Sequence, residues 1–395
     1  MKLPVCKLLS VITIFSMYSC GSKNYPAASP AEKTPAKLNE TLVSNTQIGS
    51  FSPEKYNSAF YPTVLDAAKG IGAPFLIQQG YLKVPGITLQ DSSFDYNGAT
   101  YQTRQRYWNP HKEDEADMPS YYVKASAYAN YGADNLQSIW PNKCPNTFYN
   151  NETKTFTATV DCVGYGSRLL SAVGDGSADK NAYLDLIYAV KTAHNSLFAA
   201  KGYVSTAYGF AISFPTLPVW VDKGWIYVSG NIDSEAINTY NHSKYPKIGI
   251  YNGVRKGGFA KSLPGDVLAF GNGPGTKYNG HFMVLEEAPQ LLNEAGLRSY
   301  YPAVPDGEIK KVLAAYHVYA VPLFDDSGLA AHFNDSRTKT SGIGHGTVLV
   351  MTSPVDDAPM GLVFKGTATD KTINIRMVSV NNSTSMYALS VGRYK

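Results

Sequence analysis

The sequence predicts an α+β fold, and three features carry that reading. Helical spacing of apolar residues is confined to three stretches, all before residue 203. From about residue 217 onward the chain is a series of short segments rich in β-branched and aromatic residues, punctuated by Gly, Pro, Asn and Asp. Helices first and strands afterward give segregated elements rather than alternating βαβ units. The composition agrees: 29 Tyr and 34 Gly beside 17% charged residues suit a β-rich extracytoplasmic protein.

The elements follow in order. "YNSAFYPTVLDAAKGIGAPFL" (56–76) has helical spacing. "KVPGITLQDSSFDYNGATYQTRQRYW" (83–108) reads as short strands joined by Gly and Asn turns. Residues 161–173 and 180–202 read as two helices, the second with an apolar face of Leu184, Ile187, Tyr188, Val190, Leu197 and Phe198. His194 then falls on the surface of that helix. Strands are expected at "LPVWVDKGWIYVSG", "GDVLAFG", "HFMVLEE", "YHVYAVPLF", "GTVLVMTS", "GLVFKGT", "INIRMVSV" and "YALSVGR". Together they make an antiparallel sheet or open barrel. No repeat of solenoid period is present.

The first residues describe a destination. "MKLPVCKLLSVITIFSMYSCGSK" has a Lys-bearing start and an apolar stretch from Leu8 to Tyr18, too short to span a membrane. The segment is similar to a bacterial lipoprotein leader, which implies a signal peptide over 1–19 and lipidation of Cys20. An ordinary secreted leader is the alternative. Residues 20–45, rich in Pro, Ala, Ser and Lys, read as a flexible tether. Residues 46–140 form an N-terminal accessory region that is either separate or part of the main domain, which covers 141–395. The formal charge of +4 shows no basic stripe and argues against nucleic-acid binding. "HKEDEAD" (111–117) reads as a solvated loop.

Of the four cysteines, a lipoprotein leader leaves Cys144 and Cys162 in the folded body. "TVDCVGYGSRLLSAV" (159–173) puts Cys162 at the start of a helix that Asp161 is placed to cap. The positive end of the helix dipole favours thiolate over thiol, and the thiolate is the nucleophile. Gly164 and Gly166 are poor helix formers. They suit a helix surface lying hard against a sheet that carries a base.

"DCVGYGSRLL", then "LPGDVLAF", then "GHFMVLEE" resembles the motif order of NlpC-type cysteine peptidases, papain-like α+β enzymes of the cell wall. The resemblance implies a helix-start cysteine packed on the sheet, with Cys162 as nucleophile and His281 as base. It also implies a third polar group on the neighbouring strand. An antiparallel hairpin places the end of 316–327 beside the start of the His281 strand, so Asp326 is chosen, with Asp325 close behind because register is unreadable. The activity implied is a lipid-anchored cysteine hydrolase cleaving amide bonds of peptidoglycan stem peptides, with no cofactor. The long span between Cys162 and His281 requires an insertion. Val163 and Gly280 replace the Ser residues usual in the family.

Other readings stay open. Cys144 and Cys162 are an even pair in an oxidising compartment, so a disulfide competes with the nucleophile. A non-catalytic envelope lipoprotein binding glycan or protein is a second function, and an amidase or acyltransferase on the same scaffold a third. His332, Asp335, Arg337 and His345, with Asp325 and Asp326, can be imagined as a metal cluster, but they match no known ligand spacing and no metal is expected. Arg337 is also a candidate partner for a substrate carboxylate.

Overall fold

The computed structural model describes residues 51–53, 61–107, 149–160, 162–173, 225–232, 255–272, 280–379 and 386–394. The leader, the tether, Cys20, Cys144, Asp161, residues 111–117 and the 180–202 helix lie outside them. Among the described residues no helix is long and apolar enough to cross a membrane.

Four α-helices are described: α1 (Val64–Gln78), α2 (Cys162–Ala172), α3 (Glu294–Tyr300) and α4 (Asp306–Ala315). Strands β1 (Thr88–Leu89), β2 (Ser93–Tyr96), β3 (Ala99–Tyr107), β4 (Tyr149–Asn150) and β5 (Thr155–Val160) form a small sheet in the order β1-β2-β3-β5-β4. The β2–β3 hairpin turns through Asn97 and Gly98, both at positive φ (50° and 75°), the pair that a two-residue turn of this hand prefers. The β3–β5 pair is parallel, which the sequence pattern did not indicate.

The remaining strands are β6 (Trp225–Ile232), β7 (Arg255–Lys256), β8 (Val267–Asn272), β9 (Gly280–Leu285), β10 (Gln290–Leu291), β11 (His317–Ser327), β12 (Gly342–Thr352), β13 (Pro359–Val363), β14 (Arg376–Met377) and β15 (Met386–Tyr394). They build one antiparallel sheet in the order β14-β13-β12-β11-β9-β8-β15-β6-β7, with β10 on β11. The sheet curls until β13 meets β6 and β15, and Asn231 of β6 reaches Met360 Sδ at 3.6 Å. The result is a mixed α+β fold with helices packed against a curled, open antiparallel sheet.

Strand alternation divides the apolar residues between the two faces. Leu268, Phe270, Met283, Leu285, Val321, Leu323, Val348, Val350 and Leu389 fill the concave side. Val267, Ala269, Phe282, Val284, Phe324 and Ile343 face outward into a core shared with α1, α2 and the small sheet. Residues 61–107 therefore share that core with the helix of Cys162. A Cβ on Gly166 would lie 2.5 Å from the Phe282 ring, so the glycine permits α2 to press on β9. Tyr165 of α2 donates to the Ala68 carbonyl of α1 at 3.2 Å.

Helices α3 and α4 cover a third cluster beside β11 and β12. No periodic apolar stretch revealed them, because both are short. Their starts do carry signals: Asn293 Oδ1 accepts from the Gly296 amide at 2.8 Å, and Pro305 precedes Asp306 and Glu308.

Candidate functional site

The chemistry-bearing side chains meet at one end of the concave face. Asp325 of β11 and His281 of β9 share that face with Leu323, Met283 and Phe270. The segment after β11 folds back over the early part of β12. Phe333 bridges to Thr347, and the Ser336 amide donates to the His345 carbonyl at 2.9 Å. Room for this return comes from "GIGHG". A Cβ on Gly344 would sit 2.7 Å from Arg337 Cγ, and one on Gly346 would sit 2.6 Å from His332 Cβ. Alternate glycines thus strip one face of β12 so that His332 and Arg337 lie across it.

Asp325 is the hub. Its Oδ2 lies 2.5 Å from His281 Nε2 and 2.6 Å from His332 Nε2, and its Oδ1 accepts from Arg337 Nη1 at 2.7 Å. Burial alone would push the Asp325 carboxyl up, but Arg337 and the two histidines outweigh it and hold it well below the usual carboxylate range. An ionised carboxylate only accepts, so both imidazoles donate from Nε2. Arg337 is fixed from behind by Asp335, with Nε to Oδ1 at 2.8 Å and Nη2 to Oδ2 at 3.1 Å. All of His281, Asp325 and Arg337 is sealed from solvent, and His332 is 2% exposed. Burial pushes the His281 imidazole down, against the pull of Asp325. Nδ1 of His281 and Nδ1 of His332 are buried with no hydrogen-bond partner among the described residues.

A second polar cluster lies on the helix-covered face. His345, opposite Phe324 in register, holds Nδ1 2.5 Å from Glu286 Oε2. The Tyr81 hydroxyl lies 2.9 Å from both Glu286 oxygens, and its ring stacks on His345 at 4.1 Å. Burial would raise the Glu286 carboxyl, but His345 and Tyr81 bring it below its ordinary value. Burial, with Glu286 beside it, drives the Tyr81 hydroxyl well up. Glu286 falls within the stretch "GHFMVLEE" but received no role from the sequence, and Tyr81 had no motif around it.

Three expectations change. Asp325, not Asp326, holds His281: adjacent strand residues face opposite ways, and Asp326 pairs in register with Ile343 on the helix side, where it raises the Tyr165 hydroxyl after burial does so first. Cys162 opens the helix that docks on the Phe282 face, whereas His281 leaves β9 on the concave face. The buried Cys162 and the imidazole therefore do not meet across the helix–sheet seam. Arg337 does not offer its fork to a substrate, since two aspartates occupy it.

Of the residues imagined as a metal cluster, the fold gathers Asp325, His332, Asp335 and Arg337 and sends Asp326 and His345 to the other face. It adds His281, and ligand atoms of His281, Asp325 and His332 lie within 4.8 Å of one another.

Comparison with known proteins returns nothing: no family model, no curated protein and no solved structure matches the chain. Fold and site define only a class, an α+β protein with a curled half-barrel. Its particular distinction is the buried ionic cluster at one end of that half-barrel.

Proposed function

We propose that the protein is a papain-like, lipid-anchored cysteine hydrolase of the bacterial envelope that cleaves amide bonds of peptidoglycan stem peptides. Cys162 is the nucleophile, His281 the base, and Asp325 the residue that orients it. The observation that carries this reading is the His281–Asp325 pair. One imidazole nitrogen donates to a carboxylate at 2.5 Å, while the other keeps an unclaimed lone pair. That is the tautomer and support a general base needs. The helix-start position of Cys162 and its docking on the strand that carries His281 add to it. Cys162 and the sealed His281 lie on opposite faces of β9, so the reading requires a rearrangement that brings the sulfur to the imidazole.

Two measurements test it on the chain lacking its leader. Cys162→Ala abolishes release of stem-peptide fragments from purified peptidoglycan while circular dichroism stays unchanged. His281→Ala slows iodoacetamide labelling of Cys162 at neutral pH, followed by mass mapping, because the thiol loses the partner that ionises it. Undiminished cleavage in the first variant, or unaltered labelling in the second, rejects the reading.

The opposite-face placement favours a second reading, an envelope lipoprotein without catalysis that binds glycan or protein. In it the Asp325 cluster is a buried latch holding the 328–337 return against β12. Wild-type chain that sediments with peptidoglycan and releases nothing from it selects this alternative.

A further inference from the structure

We infer that the concave-face cluster is a binding site for one divalent transition-metal ion, with His281, Asp325 and His332 as its protein ligands. Two imidazole nitrogens and a carboxylate oxygen, brought from β9, from β11 and from the return segment, converge on one point. Hydrogen bonding alone explains this arrangement poorly. A single carboxylate oxygen takes both Nε2 groups, and the remaining nitrogen of each ring is buried without a donor. Nδ1 of each ring is therefore claimed by no described protein group. Transfer of each ring proton from Nε2 to Nδ1 frees the two Nε2 lone pairs that face Asp325 Oδ2, and these are the ones an ion takes.

The surroundings match the needs of such an ion. Arg337 holds the other oxygen of Asp325 and is itself held by Asp335, the kind of outer support that fixes a ligating carboxylate. One guanidinium is shared by two carboxylates, Asp325 and Asp335, so these three groups together carry a net negative charge and the ion does not meet a field of positive charge. Ser327 lies two residues beyond Asp325 on the same face, its hydroxyl buried with no hydrogen-bond partner among the described residues. Metal–nitrogen bonds of about 2.0–2.1 Å need donor atoms roughly 3 Å apart, wider than the present 2.5 and 2.6 Å. His332 is the ligand able to withdraw, because it sits on the return segment and not in a central strand. Two imidazoles with one carboxylate select Zn2+, Co2+, Ni2+ or Fe2+ over Ca2+ and Mg2+, which prefer all-oxygen sites.

The inference stands without the hydrolase reading. If both hold, an ion at Nε2 leaves the ring proton on Nδ1, where the base's lone pair was, and Zn2+ inhibits cleavage.

The test uses the full chain after its leader, without a histidine tag and stripped with chelator. Zn2+ titrated against a chromophoric chelator is expected to bind at one equivalent, while Mg2+ and Ca2+ do not compete. His332→Ala and Asp325→Asn are each expected to weaken binding by more than about a hundredfold, beyond the roughly 10–100-fold that loss of an outer-shell partner costs. His345→Ala, on the opposite face, leaves binding unchanged. Because Asp325→Asn disturbs a buried hub, Co2+ absorption of the unaltered chain supplies a second readout. It is expected to show d–d bands without thiolate-to-metal charge transfer. Absence of stoichiometric binding, binding that survives His332→Ala, or a thiolate band that disappears in Cys162→Ala overturns the assignment. These outcomes are read without any activity, so they fail independently of the hydrolase.

Discussion

The two faces of the β9–β11–β12 region bury ionic clusters of different kinds. On the concave side, Asp325 is fully enclosed and compensated by Arg337, whose charge is permanent. On the helix side, Glu286 is held by contacts to His345 and Tyr81, neither of which is a permanent charge. The first cluster is locked by charge at any ordinary pH. The second depends on hydrogen bonds that acid removes. A sheet therefore keeps apart two electrostatic environments that the sequence interleaves, for His345 lies between Gly344 and Gly346, the glycines that make room for the concave cluster.

The largest expected effect separates these regimes. Arg337→Met leaves Asp325 and Asp335 buried without a counter-charge and should destabilise the fold by about 3–5 kcal/mol in urea unfolding. A loss near zero would mean that the carboxylates protonate or hydrate at little cost, and the contrast between the faces would collapse.

Steric predictions come next. Gly344→Ala drives a methyl into Arg337 and Gly346→Ala drives one into His332, each costing about 1–3 kcal/mol. Gly166→Ala meets the Phe282 ring, but alanine's better helix propensity, about 1 kcal/mol, offsets part of that cost. Thermal unfolding should therefore rank Gly166→Ala as milder than the β12 pair. The reverse order would show that the return segment yields more easily than the helix seam.

A smaller effect is expected on the helix side. Tyr81→Phe removes the hydroxyl from Glu286 in a partly solvated setting, for about 1 kcal/mol. Equal stability in chemical unfolding would show that water replaces the hydroxyl.

The pH dependence is the subtlest test. The folded Glu286 carboxyl lies below its unfolded value, so its contribution is present above about pH 4.3 and is lost as pH falls through the folded value. The stability gap between wild type and Glu286→Gln, measured by urea unfolding, should be constant from pH 6 to 7 and shrink below pH 4. A gap that widens in acid would contradict the assigned direction.

Much of the architecture was legible because it is written in local patterns. The Asn97–Gly98 turn, the helix opening at Cys162, and the strands around Val267, Phe282, Val321, Val348 and Leu389 each announce themselves through spacing or turn chemistry. Helices α3 and α4 escaped because seven and ten residues show too few turns for periodicity to stand out. The candidate site was half legible. His281 and the Asp325–Asp326 pair were singled out, as were His332, Asp335 and Arg337, but not their arrangement. Glu286 and Tyr81 stand 205 positions apart, and nothing local connects them.

By itself the sequence determined the kinds of element, their order, and the short set of residues able to do chemistry. Only the tertiary structure decided which of two neighbouring aspartates meets His281, and on which side of the sheet Cys162 lies. The reason is the two-residue period of a strand: a shift of one position sends a side chain to the other face, and strand register is set by long-range packing.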